Sequence, residues 1–168
     1  MKTNKNDAIS LLISDHEEVK ALFKEFEGLS DRSKVTKKKL ADQICEALTV
    51  HAMIEEEIFY PAVREVLDDE DLMDEAVVEH ASAKDLIGQI QSMEAGDDLY
   101  DAKVKVLSEQ IDHHVEEEEN EMFKKVRKTK LDLVALGEQM LARKEETIVS
   151  LHGVAQQKSK STTSTQRP

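Results

Sequence analysis

The stretch that decides the fold is HAMIEEEIFYP, residues 51–61. Leu48 before it and Ile58 within it belong to the apolar stripe of one amphipathic helix. Between them, at helical spacing, stand His51 and Glu55, so both point toward the same face. The pattern returns as HVEEEENEMF, residues 114–123, where His114 and Glu118 stand between Ile111 and Met122. His-x-x-x-Glu-Glu-x-x-x-aromatic therefore occurs twice, ending at Tyr60 and at Phe123. A buried carboxylate without a partner costs several kcal/mol or takes up a proton. Two of them in one core call for a compensating cation.

Working outward, two further apolar stripes carry an inward histidine. His16 lies between Leu12 and Val19, and His80 between Ala76 and Ala83. Asp15-His16 parallels Glu79-His80, and Lys20 parallels Lys84, so the chain repeats itself. His51 lies 10 residues before Pro61 and His80 lies 10 after Glu70; His80 lies 16 before Gly96 and His114 lies 16 after Asp98. At a rise of ~1.5 Å per residue, these partners stand level across their turns. The turn after the first helix is asymmetric, because His16 lies 12 residues before Gly28 and His51 lies 18 after Ser33.

One His and one His-x-x-x-Glu per half suits two metal ions. Each ion takes two imidazoles, and Glu55 and Glu118 bridge. Mixed imidazole and carboxylate ligation suits iron, with manganese or zinc as competitors. Singly, each residue has a duller reading as a hydrogen-bonded core histidine or an i,i+4 surface pair; the joint arrangement outweighs it. The Glu-x-x-His of ferritin-like sites and the His-Glu-x-x-His of zincins do not occur. His113 falls with Gln110 and Glu117 on the polar side, so it is not a ligand, and His152 belongs to the surface. Within the acidic run 116–119 only Glu118 points inward, with Glu119 in a supporting position. Cys45 reads as a small buried hydrophobe.

The rest of the chain sets the frame. It has 168 residues with 5 Gly, 2 Pro, no Trp and 35% charged side chains, which excludes a turn-rich β fold. Amphipathic segments span about 7–27, 33–61, 69–95, 99–128 and 131–151, and Pro61 should kink or end the second. Ile58 and Ala62 continue the second stripe, Val77 joins the third, and Val134, Leu141 and Ile148 form the fifth. The expected fold is all-α: an antiparallel up-down four-helix bundle over 7–128, a fifth C-terminal helix over 131–151, and a disordered Ser/Thr/Gln/Lys-rich tail over 153–168. Residues 1–152 form one domain. The net charge of −13 argues against nucleic acid and anionic membranes as partners. No signal peptide or spanning segment is legible, and one cysteine suits a reducing, cytoplasmic setting.

These motifs resemble the hemerythrin-like, HHE cation-binding family. The resemblance rests on DH at 15–16, HAMIEEEIFYP at 51–61, EH at 79–80 and HVEEEENEMF at 114–123, and it covers roughly residues 7 to 128. It implies a non-haem di-iron centre with an oxygen bridge, held by His16, His51, Glu55, His80, His114 and Glu118. It implies binding of dioxygen, sensing of oxygen, iron or nitric oxide, or redox chemistry with peroxide. In one respect the sequence departs from the oxygen carriers, which have His-x-x-x-His on the third helix; here Lys84 follows His80. One ligand is missing, both metals are left similar and open, and Lys84 and Lys20 are expected to run past the site to solvent. The expected function is a di-iron protein that binds or reacts with a small diatomic or peroxide, with no catalytic residue assigned. The rival is a regulatory or interaction protein whose packing is switched by metal occupancy, supported by the fifth helix and basic tail. A metal-free structural bundle is the third reading.

Overall fold

The computed structural model describes residues 7–162, with side chains described through Val154, and every regular element among them is helical. Helix α1 spans Ala8–Glu27, and the Asp7 side chain caps it by accepting from the Ser10 N–H at 2.7 Å. After a short loop, α2 spans Lys34–Ile54 and passes through a π-helical turn, Glu55–Phe59, into α3, Tyr60–Arg64. Helix α4 spans Glu70–Gln91, capped by Asp69. Helix α5 spans Tyr100–Glu117 and passes through a second π-helical turn, Glu118–Met122, into α6, Phe123–Val126. Helix α7 spans Leu133–Thr162.

Side-chain contacts give the pairing. The Lys37 ammonium lies 5.8 Å from the centre of the Phe26 ring, while His51 meets His16, so α2 retraces α1. Ser82 meets Gln110 and Glu79 meets His114, so α5 retraces α4. The buried apolar residues form two clusters. One is built around Phe23, Ile44, Leu107 and Ile111, the other around Leu12, Phe59, Met73, Met122 and Met140. The polar residues singled out above lie between the two.

Both π turns begin at an inward glutamate. The Tyr60 N–H donates to the Glu55 carbonyl, and the Phe123 N–H donates to the Glu118 carbonyl, each five residues back. The wider turn takes one more residue than an α turn, so the stripe beyond it shifts by one. Phe59 and Val63 are therefore buried in place of the expected Ile58 and Ala62, which are half-buried. Buried positions then recur every four residues: His51, Glu55, Phe59, Val63 and, in the other half, His114, Glu118, Met122, Val126. Pro61 neither ends nor breaks the rod. It sits in the first turn after the π segment, where its missing N–H costs least.

Three expectations need correction. Val77 is exposed, because α4 buries Met73, Ala76 and His80 instead. On α7 the buried residues are Leu136 and Met140; Val134 and Leu141 face solvent, and Ile148 is half-buried. The docked face is set by contacts with α1 and α2, and the sparse apolar residues of that helix did not mark its phase. The helix also continues past Leu151 to Thr162, so the stretch from 153 is helical rather than irregular as far as 162. A docked helix extends easily through Gln, Lys and Ser, since propagation is cheap once nucleated. The remaining expectation for the tail, over 163–168, lies outside the described residues.

The turn before α5 is tight. Gly96 takes φ +103°, and Leu99, at the N-cap, takes φ +69° with its side chain 68% exposed. Within this turn Asp97 accepts from the Glu94 N–H at 2.9 Å.

Candidate metal centre

The structure brings all six expected ligands into one buried cluster: His16 from α1, His51 from α2, Glu55 and Glu118 from the two π turns, His80 from α4 and His114 from α5. They form two overlapping groups whose ligand atoms lie within 4.8 Å of one another. The first holds His16, His51, Glu55 and Glu118; the second holds Glu55, His80 and His114. In the first, the His16 and His51 Nε2 atoms are 3.2 Å apart. Glu118 Oε2 is 3.2 Å from His16 Nε2, and Glu55 Oε1 is 3.1 Å from His51 Nε2. In the second, the His80 and His114 Nε2 atoms are 3.1 Å apart, with Glu55 Oε2 3.3 Å from His80 and Glu118 Oε1 3.5 Å from His114. Each carboxylate thus turns one oxygen to each half, as a bridge requires.

The donor set fits a cation better than it fits hydrogen bonding. Glu55 Oε1 and Glu118 Oε2 are buried and accept no hydrogen bond, although nitrogens stand close by. Paired Nε2 atoms facing each other can share one proton at most. Imidazole nitrogens and carboxylate oxygens that converge on common volumes suit metal binding.

Behind every histidine stands a carboxylate. The Nδ1–H groups donate to Glu119 from His16 (2.8 Å), to Asp15 from His51 (3.2 Å), to Glu56 from His80 (2.9 Å) and to Glu79 from His114 (2.6 Å). This fixes the tautomer, leaves Nε2 free for metal and raises its basicity. Glu119 thus holds the supporting position expected of it. Two lysines extend the chains: Lys144 of α7 bonds Asp15 at 2.5 Å, and Lys84 bonds Glu56 at 2.6 Å. Lys84 does not run past the site to solvent; it holds the carboxylate that orients His80.

Electrostatics follow from burial and neighbours. Burial alone pushes His51 and His114 down, but Glu55, Asp15 and Glu118 around His51 raise it to about 10. Glu118 and Glu79 likewise raise His114 to about 9. Burial pushes Glu55 up, yet the nearby charge of His51 holds the carboxyl well below its usual range. Without metal, then, protons on His51 and His114 stand against the Glu55 carboxylate. The buried charge expected to be uncompensated is compensated by protons.

Tyr60 was missed as a site residue. Its hydroxyl lies 2.8 Å from Glu118 Oε1, 3.2 Å from His80 Nε2 and 3.5 Å from His114 Nε2. Burial and the Glu118 and Glu55 carboxylates push its phenol well above the usual range. The matching residue of the other half, Phe123, stacks on His16 with rings 5.9 Å apart and 4° between planes. The two halves are therefore unlike, against the expectation that both metals would be similar. The repeat marked an aromatic at both positions, and only the hydroxyl distinguishes them.

His113 stays outside the cluster, with its side chain 63% exposed beside Glu79 and Glu117. His152 is also on the surface, paired with Glu46. Cys45 is buried in the core, where burial pushes its thiol up to about 11. Two cavities reach the cluster. One of about 250 Å³ opens between α1, α2 and α7 and ends at His16, His51 and His114. The other, about 30 Å³, opens between α2, α4 and α5 beside Lys84 and ends at His51, His80 and His114. Leu48 lines both, and Ile111 lines the second.

Comparison with known proteins agrees with this geometry. The hemerythrin HHE cation-binding domain matches residues 7–126. A crystal structure of a hemerythrin HHE cation-binding domain-containing protein from Mycobacterium kansasii superposes with a TM-score of 0.71 at 25% identity, covering 83% of this chain and 86% of that one. A protein of Nostoc sp. named DNA nickase is 32% identical over 113 residues, 67% of this chain but 31% of its own length.

Proposed function

Because the chain belongs to the hemerythrin HHE cation-binding domain family, we propose that it is a non-haem di-iron protein that binds or reacts with dioxygen, peroxide or nitric oxide. In this reading α1, the α2–α3 rod, α4 and the α5–α6 rod form an antiparallel up-down four-helix bundle, and α7 packs outside it. The observation that carries the reading is the pair of buried oxygens, Glu55 Oε1 and Glu118 Oε2, that accept no hydrogen bond while facing converging imidazole nitrogens. His16 and His51 would hold one ion and His80 and His114 the other, with the Glu55 and Glu118 carboxylates available to both. Iron held there supplies reversible one-electron chemistry and an open position for a small ligand.

The chain's own residues do the rest. Asp15, Glu119, Glu56 and Glu79 orient the four imidazoles. The Tyr60 hydroxyl donates to Glu118 Oε1 and holds a proton within reach of the second half alone. Leu12, Leu48 and Ile111 are buried and keep the surroundings apolar.

Protein purified under iron-replete conditions should carry two irons per chain and show near-ultraviolet oxo-to-iron absorption. Peroxide turnover then separates an enzyme from a sensor. A chain that takes up no transition metal refutes the proposal. A regulatory reading has one observation in its favour, the contact of α7 with the cluster through Lys144. A DNA substrate, suggested only by the name of the longer Nostoc protein, is opposed by the net charge of −13. Among the described residues no helix is long and apolar enough to cross a membrane, and a cytoplasmic location is part of the proposal.

A further inference from the structure

Helix α7 begins at Leu133, beyond residues 7–126 that match the family, yet it reaches the cluster. Its Lys144 ammonium lies 2.5 Å from Asp15 Oδ1, and the other Asp15 oxygen accepts from His51 Nδ1–H at 3.2 Å. His51 Nε2 in turn faces His16 Nε2 and Glu55 Oε1. A continuous chain, Lys144–Asp15–His51, therefore joins the outer helix to the first metal position. Asp15 is buried, so it must be paired wherever it stands. Burial pushes its carboxyl up, and the bonds from His51 and Lys144 bring it below the usual range.

The second half has a comparable chain, Lys84–Glu56–His80, but a wetter one. The Lys84 side chain is 49% exposed against 22% for Lys144, and that of Glu56 is 32% against 8% for Asp15. A charged bond shielded from water is less screened and fixes its partner more firmly. Lys144 is one of several contacts that dock α7. Leu136 and Met140 are buried beneath the helix, Arg143 grips Glu57 at 2.7 Å, and Thr147 touches Met53.

We infer that Lys144 is a positioning residue for the first metal position: through Asp15 it fixes the His51 ring, so that ion is held by a helix outside the family domain. The inference rests on the proposed reading of the cluster as a metal centre. Carboxylates behind metal-binding histidines are worth about 10–100-fold in metal affinity, and Lys144 should carry a good part of that for one ion only.

The test is a titration of the metal-free chain with Co(II), whose visible bands report imidazole ligation, on wild type, Lys144→Met, Lys144→Arg and Lys84→Met. Wild type should bind two ions. Lys144→Met should weaken one of them about 10-fold and shift its bands while leaving the other unchanged. Lys144→Arg should restore most of the loss, and Lys84→Met should weaken the other ion by less. Thermal melting of each metal-free variant separates positioning from folding. Unchanged binding of both ions by Lys144→Met overturns the inference and leaves the proposed function standing. Equal weakening of both ions, with a matching drop in metal-free stability, overturns it as well, since the lysine would then act on the fold. A wild type that binds no Co(II) overturns the metal centre and this inference with it.

Discussion

A rotation of one residue separates a ligand from a surface group in the fourth helix. His114 is buried with Nε2 in the cluster, while its neighbour His113 is exposed. His114→Ala should remove at least one metal ion per chain by elemental analysis, and His113→Ala should leave both; the reverse outcome would put the wrong histidine inside. Protons give a second prediction. His51 and His114 are raised to about 10 and about 9 in the metal-free protein, against about 6.5 for free histidine. Their contribution to metal-free stability is thus complete below about pH 6.5 and is lost as pH rises through 9 to 10. Metal needs both rings neutral, so loading at pH 7.5 should expel protons from both. Calorimetry in buffers of different ionisation enthalpy should read about two protons released per chain, and the melting advantage of the metal-loaded form should grow from pH 6 to pH 9. An advantage that shrinks over that range would contradict the assignment. The six inward residues of the cluster were legible because polar side chains interrupt apolar stripes at helical spacing. Tyr60 was not, because an aromatic ring at the end of such a stripe reads as core whether or not it ends in a hydroxyl.

At the scale of elements, Leu99 offers a clean test. It holds φ +69° with no side-chain cap bond, so its conformation is strained, and its side chain is mostly exposed. Left-handed backbone costs a non-glycine residue about 1–2 kcal/mol, and Asn tolerates it better. Leu99→Asn should raise the melting temperature by roughly 2–4 °C, as about 1 kcal/mol does in a chain of this size; an unchanged or lower value would show that Leu99 is not strained. The helices and their order were readable from periodicity, but the π turns were not. Nothing local in residues 55–59 or 118–122 announces an i→i+5 bond, and without it the stripe beyond Glu55 counts to Ile58 and Ala62 rather than Phe59 and Val63. In the other half the apolar residues Met122 and Val126 already lie four and eight residues after Glu118, so the expected stripe and the buried one coincide. The phase of α7 was hidden for another reason: its docking uses Lys144, Arg143 and Thr147 as much as apolar side chains, and polar contacts leave no hydrophobic period.

At the scale of the molecule, the described contacts of α7 with the rest of the protein end at His152, which bonds Glu46. Deleting residues 155–168 should therefore leave the melting temperature and metal content unchanged; a marked loss of either would show that the far end of the helix docks as well. The two cavities have a further consequence, which concerns traffic. The 30 Å³ opening beside Lys84 is the narrower of the two, with room for water or a diatomic molecule. The 250 Å³ opening under α7 is the doorway for anything larger, and it delivers its cargo to His16, His51 and His114. Tyr60 stands behind that point, in the far half. The helix that frames this doorway is the one that Lys144 ties, through Asp15, to the imidazole at the threshold.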